Sequence, residues 1–138
     1  MKKVLVGGCF DLIHYGHIVF LNEAKKKGDY LVVALESDEN IKKYKGADRP
    51  IHTQKERAEM LESMKMVDEI IELPEMKNNN DYFNLVQKVK PSVIAVTEND
   101  PQLLNKKKQA ELIGAKVIVV TKRINSLSTS RFKKRYYL

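Results

Sequence analysis

Tryptophan is absent from this sequence, and cysteine and histidine are scarce: one Cys and three His among 138 residues, beside four Pro and six Gly. A single thiol, Cys9, closes no internal disulfide, so the fold must stand without a cross-link, and a reducing, cytoplasmic compartment suits it. Structural zinc usually takes four N or S ligands, and one Cys with three His, two of them only three residues apart, makes a poor set. Long apolar runs are missing too. None approaches the ~18 residues of a membrane span. The opening Met1-Lys2-Lys3-Val4 passes straight into a strand pattern, without the apolar region and cleavage site of a signal peptide. Acidic residues are missing from one stretch in particular. Residues 122–138 hold six basic side chains and no Asp or Glu, which leaves 19 of the 25 basic residues facing 18 acidic ones elsewhere. The net charge of +7 is therefore concentrated in the last segment. Such a cluster suits phosphate contact or a solvated terminal helix.

What is present alternates between two patterns. Val4–Val6, Tyr30–Leu35, Asp68–Leu73, Val93–Val96 and Lys116–Thr121 are short apolar runs of strand type. Between them lie helix signals. A helix is expected over Tyr15–Lys27 with Gly28 as its stop, and a short one after Ser37. The Thr53/Glu56 capping box opens a helix over Gln54–Met66. Asn78–Asp81 opens another, Asp100-Pro101 starts one that Gly114 closes, and a last helix follows Leu127. Lys45–Pro50 reads as a polar, mobile loop. Continuous apolar strands alternating with helices predict an α/β fold: one Rossmann-like, doubly wound domain over residues 1–138, with a five-stranded parallel sheet covered on both faces. Ligands in such sheets bind at the carboxyl ends of the strands. The unusual segments all fall at such ends.

The most unusual is Gly7-Gly8-Cys9-Phe10-Asp11-Leu12-Ile13-His14-Tyr15-Gly16-His17. Glycines let a backbone pass close to a ligand. The helix that follows offers free N–H groups and a positive dipole end to an anion. His14 and His17 add side-chain donors beside them. On the Gln54–Met66 helix, Arg57 shares a face with Met60, Leu61 and Met64, so it points inward and needs an anionic partner. Bound phosphate is the expected partner, with a protein Asp as the alternative.

The pattern G-x-F-D-x-x-H-x-G-H, formed by Gly8, Phe10, Asp11, His14, Gly16 and His17, resembles the signature of the HxGH nucleotidyltransferase superfamily, in its cytidylyltransferase-like branch. "KYKGADRPI" with "QKERAEML" is similar to that branch's lysine loop and following helix, and "RINSLSTS" to its terminal arginine and serine-threonine segment. The resemblance implies in-line attack by an acceptor phosphate on the α-phosphorus of a nucleoside triphosphate, with release of pyrophosphate. It also implies roles. His14, His17, Lys45, Arg57 and Arg123 serve catalysis. Gly8, Cys9, Phe10, Asp11, Gly16, Asn99, Leu127, Ser128 and Thr129 line the nucleotide. Mg²⁺ arrives with the triphosphate, no metal being held by the chain itself. Asp11 orients the loop or a water, or simply caps the helix. Thr97 and Asn99 depart from the Gly and Asp of relatives, and Ser130 replaces a threonine.

The lysine loop looks most like that of relatives that use ATP to make flavin adenine dinucleotide or an ADP-sugar. "GDYLVVAL" also looks like CTP-using glycerol-3-phosphate enzymes. FMN, a sugar phosphate and glycerol 3-phosphate all supply the same nucleophile. Family members are often homodimers. The competing reading is a non-catalytic nucleic-acid-binding module, suggested by Phe132, Tyr136 and Tyr137 among the terminal cations.

Overall fold

The computed structural model describes residues 1–122. Its elements alternate as β1 (Lys3–Gly8), α1 (Tyr15–Lys25), β2 (Tyr30–Leu35), α2 (Asp38–Lys45), α3 (Gln54–Glu62), β3 (Glu69–Glu72), α4 (Asn79–Val89), β4 (Val93–Thr97), α5 (Leu103–Ile113) and β5 (Lys116–Thr121). The five strands are parallel, in the order β3-β2-β1-β4-β5. The chain moves outward from β1 through β2 to β3, then returns to lay β4 on β1's free side. That reversal leaves a crevice between the carboxyl ends of β1 and β4, where α/β folds bind ligands.

The apolar runs do what buried parallel strands require. Along β1, Val4 and Val6 join Phe20, Leu21, Leu31, Val33 and Leu61 in one core, on the side of α1 and α3. Leu5, between them, points the other way and packs with Val32, Val86, Ile94 and Ala110 under α4 and α5. Alternate residues of one strand thus feed two cores, and both faces of the sheet are covered. The outer strands β3 and β5 have no buried residues. Among the described residues, no helix is long and apolar enough to cross a membrane.

Element boundaries depart from expectation where side chains other than the apolar stripe decide them. Gly28 does not supply a left-handed stop. It lies where a Cβ would come within 2.5 Å of the Lys2 carbonyl oxygen, so its role is close packing of the α1–β2 turn against β1. Gly114, at φ +74°, is the left-handed stop expected for α5. Helix α3 ends at Glu62 rather than Met66. The chain leaves it through two turns, Met64 N–H to Leu61 O and Val67 N–H to Met64 O, and Met64, Met66 and Val67 still pack on the core. Asp100-Pro101 forms a turn ahead of α5, and Gln102 is the N-cap. The Ser37 and Thr53 caps stand where the sequence puts them.

Candidate active site

The loop after β1 turns sharply. Phe10 and Leu12 both take positive φ, 48° and 55°, in the left-handed region that non-glycine residues seldom visit. Such strain is held only where surrounding contacts fix it. Asp11, between them, is buried and supplies those contacts. Its carboxylate accepts from Arg49 Nε (3.1 Å), Ile51 N–H (2.7 Å) and His52 N–H (3.0 Å). Burial alone would raise the Asp11 pKa, but the His52 and Ile51 N–H groups and Arg49 outweigh it, and the carboxyl titrates below its ordinary value. Asp11 is thus not the cap of α1, whose N-cap is His14. It fastens segment 49–52 to the signature turn. The expected loop is correspondingly shorter, because Lys45 is the last residue of α2.

His14 and His17 cap α1 with their own rings. His14 Nδ1 accepts from Gly16 N–H (3.1 Å), and His17 Nδ1 accepts from the His14 N–H (3.1 Å). Each Nδ1 is therefore a lone pair, and each neutral ring carries its hydrogen on Nε2. The rings lie 4.1 Å apart, and Phe10 packs against His17 at 5.4 Å with the rings tilted by 52°. His14 Nε2 is buried and has no hydrogen-bond partner among the described residues. An unsatisfied buried donor is costly, so its persistence points to a ligand atom.

Both imidazoles are held neutral. Burial, then the neighbouring His14 and Lys45, press the His17 pKa down to about 4, and burial lowers His14 as well. This has a consequence for stability. An unfolded His17 takes its proton near 6.5, whereas the folded one waits until about 4. As pH falls through that window the unfolded state binds more protons, so stability falls, by about 3 kcal/mol for a shift of this size. Melting curves from pH 7 to 4 should show a steeper decline for the natural chain than for His17→Asn. Parallel curves would contradict the assignment.

Two cavities meet at this point. The smaller, about 230 Å³, is lined by Gly8, Cys9, Phe10, His14, Gly16 and His17, with Lys122 and Thr121 opposite. The larger, about 760 Å³, opens between β1, β4, α4 and α5. Gly7, Gly8, Cys9, Lys45, Thr97, Asp100 and Lys106 border both. Gly8 is needed for packing, since a Cβ there would lie 2.8 Å from the Phe10 ring. Burial pushes the Cys9 thiol up, against the opposing pull of Lys45. Asn99, at φ +63°, borders only the larger cavity.

Arg57 corrects the expectation of a phosphate partner. Its side chain is fully buried, and protein groups already engage it: Nη2 meets Asp38 Oδ1 at 2.7 Å, Nη1 donates to the Cys9 and Glu36 carbonyls, and Nε donates to the His52 carbonyl. It lines neither cavity. The alternative, a protein Asp, is what the structure supplies. Arg57 ties the ends of β1 and β2 to the start of α2 from behind the site. Arg123, Leu127, Ser128 and Thr129 lie outside the described residues.

Four residues escaped the sequence reading. Glu36 follows the last residue of β2, a position whose strand-end location could have flagged it. Both its carboxylate oxygens accept from Tyr82 Oη, at 3.0 and 2.8 Å, and burial raises its pKa against that bond. Lys106 pairs with Asp100 at 2.7 Å between the cavities. Nothing in Lys106-Lys107-Lys108 marks the first lysine as the inward one.

Comparison with known proteins agrees with this geometry. The family model described as cytidylyltransferase-like matches residues 5–135. An FAD synthase of Thermococcus sibiricus is 39% identical over 119 residues, covering 84% of this chain and 78% of its own. The bifunctional protein HldE of Campylobacter fetus is 42% identical over 91 residues, 66% of this chain. The match spans only 19% of that protein's length. Among solved structures, the lipopolysaccharide core biosynthesis protein of Thermoplasma volcanium superposes with a TM-score of 0.71 at 29% identity, over 89% of this chain and 98% of that one.

Proposed function

The chain belongs to the cytidylyltransferase-like family, and from that premise we propose that it is a nucleotidyltransferase that moves a nucleoside monophosphate from a triphosphate to a phosphomonoester, releasing pyrophosphate. The observation that carries the reading is the His14 Nε2 donor, buried without a partner beside His17 and the cavity they share. The acceptor's phosphate oxygen attacks the α-phosphorus. That P–O bond forms as the bond from the α-phosphorus to the α–β bridging oxygen breaks, and the electron pair leaves with pyrophosphate. A phosphomonoester with a second pKa of ~6 is already dianionic at neutral pH, so no strong base is needed. The chain's work is positioning and charge stabilisation. His14 and His17 donate to phosphate oxygens. Lys45, bordering both cavities, bridges the acceptor phosphate and the transferred group. The motif resemblance alone assigns Arg123, Ser128 and Thr129 to the leaving pyrophosphate.

The donor is ATP in this reading. FAD is FMN joined to AMP, and FAD synthases are among the relatives. Mg²⁺ enters with the triphosphate as part of the substrate in this reading. The reaction proceeds in a reducing cytoplasm where Cys9 stays a thiol. The test is a pyrophosphate-release assay pairing ATP or CTP with FMN, a hexose 1-phosphate or glycerol 3-phosphate. ATP with one of these acceptors should turn over, and Arg123→Ala should cut that rate by at least tenfold. Silence with every pair, together with RNA binding, would instead support the nucleic-acid module.

A further inference from the structure

Helix α2 is packed only near its start. Asn40 and Ile41 are its buried residues, and positions 42–48 are all exposed. Lys45, which borders both cavities, therefore stands at the outer end of a short arm. Asn40 grips the base of that arm through directional bonds. Its Oδ1 accepts from the Met76 N–H and its Nδ2 donates to the Met76 carbonyl, both at 2.8 Å, so the amide pairs with Met76 as a neighbouring strand would. Ser37 Oγ donates to the same Oδ1 at 2.8 Å and accepts the Asn40 N–H at 3.1 Å. With a donor and an acceptor both matched, the amide has one orientation. Met76 is itself a fixed point. Its loop, between β3 and α4, is tied to the sheet by Gln54, whose Nε2 donates to the Leu35 and Leu73 carbonyls at 3.0 and 2.9 Å. Farther along α2 the contacts lie at the surface. Lys43 pairs with Glu75 at 2.6 Å, and the exposed Tyr44 lies beside the Tyr82 hydroxyl.

We propose that Asn40 is a positioning residue: by pairing its amide with the Met76 backbone it fixes the tilt and rotation of α2 and so sets Lys45 at the junction of the two cavities. The inference rests on the nucleotidyl-transfer reading for what Lys45 does there, and goes beyond it in naming the group that holds Lys45 in place. The apolar contact made by Ile41 is non-directional and resists separation more than tilt. Paired hydrogen bonds are directional and resist both. The leverage is large. Asn40 and Lys45 are five residues apart, so a tilt of about 10° at Asn40 carries the Lys45 backbone about 1.3 Å sideways. A misplacement of that size in a group that positions a substrate costs roughly 10² in rate.

The experiment is a double-mutant cycle on the full chain between Asn40→Ala and Lys45→Gln, read in two ways. The first is pyrophosphate release with ATP and the acceptor that turns over. Asn40→Ala should lower kcat about tenfold with little change in KM, and Lys45→Gln at least as far. The double variant should fall within about twofold of Lys45→Gln alone, because losses routed through one group do not add. A purely structural Asn40 would multiply them. The second reading needs no turnover. Cys9 is the chain's one cysteine, so ¹³Cβ labelling gives a single resonance whose titration is unambiguous. Burial raises the Cys9 pKa; Lys45 is the strongest of the charges that pull it down, with Glu36 opposing and Arg57 and Arg49 assisting. Lys45→Gln and Asn40→Ala should each move that titration upward, and together no further than Lys45→Gln alone. Should Asn40→Ala unfold, Asn40→Leu takes its place in the cycle, since it fills the volume and lacks both Met76 bonds. Multiplied losses in kcat overturn the proposal. So does a Cys9 titration that Lys45→Gln moves and Asn40→Ala leaves in place, or a Lys45→Gln variant that changes neither quantity. If the natural chain releases no pyrophosphate with any pair, the nucleotidyl-transfer reading fails, and the Cys9 titration alone decides whether Asn40 holds Lys45.

Discussion

His14→Asn lowers kcat by roughly 10²–10³-fold while the melting temperature moves little. The asparagine oxygen can still accept the Gly16 N–H, because Ser, Asn and Asp caps are nearly interchangeable. What it lacks is a donor on the far side of a ring. That donor, Nε2, has no partner among the described residues and borders the smaller cavity. Losing one preorganised donor to a transition-state oxyanion costs about 10²–10³ in rate. The effect belongs in kcat more than in KM, since the bond strengthens as charge gathers on the transferred phosphate. His14→Ala should lose the rate and about 1 kcal/mol of capping as well. Steady-state kinetics and melting curves on the two variants separate the contributions. A variant that melts early yet keeps normal specific activity would return His14 to a purely structural role.

Arg57→Ala has the opposite signature, a collapse of stability. The guanidinium donates to three carbonyls, those of Cys9, Glu36 and His52, and to the Asp38 carboxylate, all from a fully buried position. Removing it opens a large void and leaves those acceptors without donors. Breaking one partner out of a buried charged network typically costs about 3–5 kcal/mol. For a chain of this size that is a fall of roughly 10–15 °C in Tm. Arg57→Lys should rescue little, because one ammonium cannot span four acceptors fixed by a planar fork. Thermal unfolding followed by circular dichroism measures it. A variant with unchanged Tm and a large rise in the KM for the triphosphate would reinstate the phosphate contact and remove the structural role argued for Arg57.

The contrast between these two residues shows what a sequence makes legible. The strands were readable because burial on both sheet faces demands continuous apolar runs, as in Leu31–Leu35. The caps at Ser37 and Thr53 were readable because a helix start is a local problem with few chemical solutions. His14 and His17 were readable because their turn is also local, framed by Gly8 and Gly16. Arg57 was legible only halfway. Periodicity shows that it points inward, but its partner Asp38 lies 19 residues away across the fold, and no local pattern names it. Asp11 and Arg49 are 38 residues apart and hidden for the same reason. Lys106 is hidden differently. In a run of three lysines, which one faces the crevice depends on where α5 begins, and the turn at Asp100-Pro101 moves that start two residues beyond the proline expectation.

The double cap on α1 also bears on how few of the twenty amino acids could stand at positions 14 and 17. Each side chain must present a lone pair to a backbone N–H on one side and a hydrogen to the cavity on the other, from the far corner of a ring. Serine has both functions on one atom. Asparagine has them on adjacent atoms of a small fork. Lysine and arginine have no lone pair to offer. Only imidazole holds an acceptor and a donor at separate corners of a rigid ring, and only its neutral form does so. In the vocabulary of coding, each of these two positions accepts a single letter. The glycine between them, whose N–H is the group being capped, spaces that letter from its repeat.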